Sequence, residues 1–292
     1  MADPLLTLAG RKWISPAYTG GAVVQLNSSN VWVELTSGGA VAWNLQQFSE
    51  ILFYIRSSDF VSGTDRPYAG KLYRSADLGA SWADVTPSSG NAEFVNDIAE
   101  DADGNLWLLT DERENPGAIS SQTGKPSRVY KSTDLGLTWT LSFTTTQLAL
   151  DRHTMFLNVT CHPDNNQKII IENINPVTAA VLITYTTDGG SSWTENAAPS
   201  LPDPPTSPNN LGGARQGIFN YTSDGVIAWV GDFETAQDEL FVEASVNDGL
   251  TWTEQHTEVS ATEHGTAFNE ANGVVYLSTI NFLFTATPPS GI

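Results

Sequence analysis

Among the residues that could do chemistry, the carboxylates come first. Asp97 sits in a strand-like run between Val95 and Ile98, and Asp111, Asp151 and Asp232 stand at the ends of comparable runs. Hydrolysis of a glycosidic bond needs two such groups flanking the bond, about 5–9.5 Å apart, one as acid and one as base or nucleophile. Asp97 is therefore the first catalytic candidate, with Asp111, Asp151 and Asp232 as partners facing a common axis. The competing reading has Asp97 simply accepting hydrogen bonds from neighbouring backbone. The cations come second. Five of the eight arginines, Arg11, Arg66, Arg113, Arg152 and Arg215, fall on or beside long connecting segments. In a chain this poor in positive charge, guanidinium groups gathered on one side make a local anion site. Arg66, Arg113, Arg152 and Arg215, with Tyr68, are the ligand-binding candidates. Surface pairing with Asp59, Asp65, Asp111, Glu112, Glu114 and Asp151 is the alternative, since exposed ion pairs are common and individually weak. Aromatic residues on the same segments, Phe60, Tyr68 and Phe143, could stack on sugar rings.

Other chemistries find little support. His153, His162, His256 and His264 show no metal-ligand spacing, so no metal is expected. The Gly-rich stretch Gly212-Gly213-Ala214-Arg215-Gln216-Gly217 follows a Pro-rich segment and opens no helix. It lacks the context of a nucleotide-binding loop, and no cofactor is expected. Cys161 is the single cysteine, which rules out an intramolecular disulfide and reads as a small core residue.

The elements that must hold these groups show themselves as a repeat. Four segments share one pattern: Ser75-Ala76-Asp77-Leu78-Gly79-Ala80-Ser81-Trp82, Ser132-Thr133-Asp134-Leu135-Gly136-Leu137-Thr138-Trp139, Thr186-Thr187-Asp188-Gly189-Gly190-Ser191-Ser192-Trp193 and Ser245-Val246-Asn247-Asp248-Gly249-Leu250-Thr251-Trp252. The acceptors at 77, 134, 188 and 247 recur at steps of 57, 54 and 59 residues, and self-similarity at long period means repeated supersecondary units. Asp or Asn accepts hydrogen bonds from its own turn. Gly79, Gly136, Gly190 and Gly249 supply a positive φ without steric cost. Trp82, Trp139, Trp193 and Trp252 start the next strand and bury a large ring beneath the turn.

This pattern resembles the Asp-box, the bacterial neuraminidase repeat, whose consensus is Ser/Thr-x-Asp-x-Gly-x-Thr/Ser-Trp. Asn247 departs from it, keeping an acceptor but losing the charge. The resemblance implies a sialidase-like β-propeller in which each box joins the third and fourth strands of a blade. It implies a structural role for the boxes, not an active site. Sialidase activity itself is not expected: the Arg-Ile-Pro signature is missing, Arg66-Pro67-Tyr68 does not replace it, and no nucleophilic tyrosine can be identified.

Strands read from β-branched and aromatic runs fill the units around each box. The second unit uses 93–99, 106–110, 128–132 and 139–142; the third uses 155–161, 168–172, 181–186 and 193–195; the fourth uses 217–222, 226–230, 240–245 and 252–255. The first runs through 41–43, 51–56, 71–75 and 82–85. Strands at 22–26 and 31–35 together with 264–268 and 274–280 would make one further blade from both chain ends. The expected fold is all-β: a single propeller of five four-stranded blades, closed by pairing N- and C-terminal strands. Residues 1–21 form an N-terminal arm in this layout, 22–285 the propeller and 286–292 a C-terminal tail. First-to-second connections and boxes are short and lie on one face. Long connections at 57–70, 111–127, 143–154 and 196–216 lie on the other, and such loops are usually functional or mobile. That long-loop face is the expected site for a glycan or protein partner, or for contacts in a homo-oligomer or larger assembly.

The formal charge of −20, from 33 acidic and 13 basic residues, disfavours nucleic acid and anionic membrane as partners. No apolar segment reaches the length that spans a bilayer, and the N-terminus carries no signal-peptide pattern. A virion or cytoplasmic location is expected. The leading functional reading is a non-catalytic binding or structural propeller, an adhesion component recognising surface glycan. A polysaccharide hydrolase with paired carboxylates and an assembly-factor propeller that binds a protein are the alternatives.

Overall fold

A computed structural model describes residues 6–8, 11–14, 24–26, 32–34, 41–57, 70–88, 94–112, 126–146, 153, 155–174, 181–197, 218–221, 225, 227–233, 239–247, 251, 253–259, 265–271, 274–279 and 283–286. All regular structure there is β. The strands are β1 Leu6–Leu8, β2 Arg11–Ile14, β3 Val24–Leu26, β4 Trp32–Glu34, β5 Val41–Phe48, β6 Ile51–Ser57, β7 Lys71–Ser75 and β8 Ala83–Asp84. Next come β9 Phe94–Glu100, β10 Leu106–Asp111, β11 Ser127–Ser132, β12 Thr140–Thr144, β13 Met155–Cys161, β14 Ile169–Ile174, β15 Val181–Thr186 and β16 Thr194–Ala197. The last are β17 Ile218–Tyr221, β18 Ile227–Phe233, β19 Glu239–Ser245, β20 Thr253–Val259, β21 Gly265–Ala271, β22 Val274–Thr279 and β23 Leu283–Ala286.

Each sheet is an antiparallel meander of consecutive strands, and the chain is a β-propeller as expected. Five sheets have four strands, β1–β4, β5–β8, β9–β12, β13–β16 and β17–β20, and β21–β23 form a sheet of three. First strands lie inward: β9 packs on β13, β13 on β17 and β17 on β21. The sorting differs from the five blades expected, since the described strands make six sheets and those of the two chain ends pair among themselves. The extra strands, β1 and β2, are only three and four residues long. Runs that short carry too little alternation to register as strands in the sequence.

Period-2 alternation explains where the core sits, because neighbouring strand residues face opposite sides of a sheet. Leu106 and Leu108 of β10 face the first box-bearing sheet, joining Phe53, Ile55 and Leu72. Trp107 and Leu109 face the other way, joining Phe156, Val159, Ile169 and Ile171. The core is thus a series of layers between sheets, and β10 is buried along its whole length.

The boxes stitch those layers. Three of them form one network with near-identical geometry. The hydroxyls of Ser75, Ser132 and Thr186 donate to Oδ1 of Asp77, Asp134 and Asp188 at 2.7–2.8 Å. Those same hydroxyl oxygens accept the N–H of Gly79, Gly136 and Gly190 at 2.8–3.0 Å. Oδ1 also accepts the backbone N–H of Ser81, Thr138 and Ser192, while their hydroxyls donate to Oδ2 at 2.5–2.6 Å. Bonds led by that last hydroxyl and its backbone hold each of the three carboxyls at about 2, below the ordinary 3.8. In the fourth box Asn247 keeps the loop closed with the polarity of one bond reversed: its Nδ2 donates to Thr251 Oγ1 at 2.8 Å. Gly249 and Trp252 lie outside the described residues.

Two of the box glycines, Gly136 and Gly190, also close against the preceding sheet. A Cβ on Gly136 would stand 2.7 Å from ring carbons of Phe53, and one on Gly190 would stand 2.6 Å from Trp107. Phe53 and Trp107 hold the same register position, opposite the residue before the box serine. Leu78 and Leu135 adopt φ of 61° and 56°, a left-handed conformation the sequence does not advertise. Leu135 compensates by packing on the first inter-sheet core and by accepting Arg74 Nε at 2.7 Å on its carbonyl. The indoles follow the same inter-sheet logic: Trp193 lies edge-on to Trp107 at 5.9 Å and stacked with Phe143 at 5.7 Å.

Two outcomes follow from the boxes. Their carboxylates have folded values near 2 against an ordinary 3.8, so they stabilise the fold fully above about pH 4 and lose that contribution as pH falls toward 2. Urea midpoints measured between pH 5 and 2 should drop, and replacing Asp77, Asp134 and Asp188 by Asn should flatten the slope. Gly136→Ala and Gly190→Ala should each cost more stability than Gly104→Ala. All three glycines have positive φ, but a Cβ at Gly104 meets nothing nearer than 3.7 Å. Left-handed strain of about 1–2 kcal/mol is common to all three, and overpacking adds about 1–3 kcal/mol at the first two. Denaturant unfolding of the three variants checks the difference.

Candidate functional site

The boxes and the turns joining first and second strands occupy one end of the sheets. At the other end, second strands finish, third strands begin and one sheet hands over to the next. The segments carrying Arg66, Tyr68, Arg113, Asp151, Arg152 and Arg215 leave from this end, and those six residues themselves lie outside the described ones. Their roots are described, and three of them join one bonded set. Gly70, two residues after Tyr68, forms a bridge with Val95 on the inner strand β9, with N···O distances of 2.8 and 3.4 Å. Next to it, Asn96 Nδ2 donates to Asp111 Oδ2 at 2.9 Å and to Phe156 O on β13 at 3.2 Å. Glu112, which precedes Arg113, forms an ion pair with Arg128 of β11, and both side chains are largely buried. Glu112 N donates to Pro126 O at 3.3 Å.

The third root is His153, which follows Arg152. Its Nδ1 lies 3.0 Å from Thr145 O and 3.2 Å from Thr145 Oγ1. Thr145 is buried and continues the pairing of β12 with β11, exchanging bonds with Ser127 at 3.0 Å in each direction. Beside it, Glu195 on β16 accepts the N–H and hydroxyl of Thr146. Ser127 and Arg128 therefore receive the roots on both sides of them. A bulge makes the arrangement possible: Asn96 is the extra residue where β9 shifts register against β10. Bulges re-aim side chains at sheet ends, and here the displaced amide reaches across to the next sheet.

The carboxylate candidates divide. Asp97 Oδ2 accepts the backbone N–H of Val159 at 2.9 Å, so at least one of its oxygens holds β9 to β13, as the backbone-binding alternative anticipates. Asp111 is 3% exposed and tied to Asn96. Asp232 has the same register position in β18 as Asp111 in β10, five residues after the partner of the box serine. Sequence reasoning did not single out Asn96, Arg128, Asn158, Glu172 or Asn173. Glu172 is 1% exposed and accepts Asn158 Nδ2 at 2.5 Å. The signal was present: Asn96-Asp97 and Glu172-Asn173 each interrupt an apolar strand with two adjacent polar residues. Among the described residues, no three His, Cys, Asp or Glu side chains gather as a metal site, and no helix is long and apolar enough to cross a membrane.

No known family description matches the chain, and no curated protein does. Solved structures do resemble it. An ancestral GH74 enzyme superposes with a TM-score of 0.61 at 14% identity, over 97% of this chain and 36% of that one. An oligogalacturonate lyase in complex with manganese gives 0.59 at 12% identity, over 97% and 72%. YCF48 bound to D1 peptide gives 0.52 at 10% identity, over 94% and 73%. This chain thus spans about a third of the GH74 enzyme's length. Identities this low show the fold and leave activity to the residues of the site.

The buried ion pair supplies a test of the rim. Arg128→Ala leaves the Glu112 carboxylate buried without its counter-charge and should cost about 3–5 kcal/mol. Replacing the pair together, as Glu112→Gln with Arg128→Met, should cost less. Urea unfolding of both variants reads the difference.

Proposed function

We propose that the chain is a non-catalytic binding propeller that recognises an anionic glycan on its long-loop face, as an adhesion component of a virus particle. The observation that carries the reading is the shared anchorage of three loop roots. Gly70, Glu112 and His153, which adjoin the segments bearing Arg66 and Tyr68, Arg113, and Arg152, belong to a connected group of residues from Val95 and Asn96 to Ser127 and Arg128. Segments that start from one bonded group and carry Arg66, Arg113 and Arg152 would offer several guanidinium forks to one acidic sugar, with Tyr68 as a stacking surface. Rigid roots reduce the ordering cost of binding. The acids under the rim engage protein partners: Asn96 for Asp111, Arg128 for Glu112 and Asn158 for Glu172. Such pairing suits a platform better than a turnover site.

A glycoside hydrolase is the second reading. It draws on the GH74 and oligogalacturonate lyase likeness and on Asp97 and Asp111 both being linked to β13. A peptide-binding propeller, as YCF48 is described, is the third. A glycan array with acidic and neutral sugars separates them. Binding to acidic glycans, without release of reducing ends and lost by more than tenfold in Arg66→Ala with Arg113→Ala, is the expected result. Reducing-sugar release that disappears in Asp97→Asn would transfer the assignment to the hydrolase.

A further inference from the structure

Among the described residues, the three-stranded sheet has no strand in the place that a fourth strand takes in the other sheets. In the five four-stranded sheets the third strand lies between a second and a fourth strand. In β21–β23, the third strand β23 pairs with β22 through Val275↔Ala286, Tyr276↔Thr285, Leu277↔Phe284 and Ser278↔Leu283. No described strand pairs with its other side. Because β21 is the strand that meets β17 and β18, β23 lies at the outer rim of the molecule. An edge of unpaired N–H and C=O groups is a template for another strand, and proteins normally protect it with charge, proline or a bulge.

This edge carries none of that protection. Leu283-Phe284-Thr285-Ala286 has no charged residue and no proline, and its pairing with β22 runs without a register shift. The whole of 271–292 lacks Asp, Glu, Lys, Arg and His in a chain of formal charge −20. The outermost strands of the other sheets differ. Glu34 on β4, Asp84 on β8, Glu195 on β16 and Glu254 and Glu258 on β20 put carboxylates on four of the five. Two copies of so acidic a chain repel at those edges. At β23 no carboxylate on either strand would oppose such an approach.

We infer that β23 pairs with β23 of a second copy of this chain, antiparallel across a two-fold axis, joining two three-stranded sheets into one of six. An antiparallel strand pair is self-complementary, as a two-fold contact requires, and backbone hydrogen bonds supply the affinity of strand addition. The inference is independent of the glycan reading.

Light scattering on the eluting purified chain over a hundredfold concentration range tests it. The expected result is twice the chain mass at high concentration, falling to the single mass on dilution, with Thr285→Lys shifted to the single mass throughout. Amide exchange on the unaltered chain is the readout that needs no variant: protection at 283–286 should rise with concentration in step with the mass. A single mass at every concentration overturns the inference. So does a dimer that persists in correctly folded Thr285→Lys, or one whose formation leaves exchange at 283–286 unchanged.

Discussion

The closure of two box glycines, Gly136 and Gly190, onto aromatic rings of the preceding sheets is the contact on which the box-bearing sheets depend. Gly136 meets Phe53 and Gly190 meets Trp107 at distances that leave no room for a side chain. A box is therefore a local turn and an inter-sheet clasp at once. The hydroxyl and carboxylate of the box fix the loop from inside, so its outer surface can press against the next sheet without rearranging. Trp139 and Trp193 extend the clasp into the two inter-sheet cores. Dispersion and burial do most of the holding, and the polar network decides the geometry in which they act.

That arrangement leaves the two ends of the molecule with different tasks. At the box end, the box carboxylates and hydroxyls bond within their own turns, and longer bonds such as Arg74 Nε to Leu135 O join neighbouring sheets. At the other end, Asn96 reaches β13 and the buried Arg128 pairs with Glu112. A low-dielectric interior makes such bonds strong when satisfied. They give the long segments firm starting points, with the glycine bridge at Gly70 and the histidine contact at His153 completing the set.

Much of the fold was legible because its information is local. A Ser-x-Asp-x-Gly pattern carries its own hydrogen-bond partners within five residues, so the boxes at 75–82, 132–139 and 186–193 could be read directly. Asn247 could be read too, since an amide oxygen accepts as a carboxylate oxygen does. The strands at 94–100, 106–111, 155–161 and 169–174 were visible as alternating or apolar runs. The site was less legible. Asp97 stood out because a carboxylate inside an apolar strand has few local explanations, and one of its partners, Val159 N, lies 62 residues away.

The sequence by itself determined the repeat, the antiparallel strand order within each box-bearing sheet and the end of the molecule where the turns are tight. Each rests on bonds between residues close in the chain. Only the tertiary structure decided that Leu6–Leu8 and Arg11–Ile14 are strands of one sheet with Val24–Leu26 and Trp32–Glu34 and that Gly136 and Gly190 seat on the preceding sheets' rings. It alone also showed that the roots at 70, 112 and 153 join one network. Those features depend on which sheets become neighbours, and that is set by burial summed over many residues, a quantity no short stretch of sequence contains.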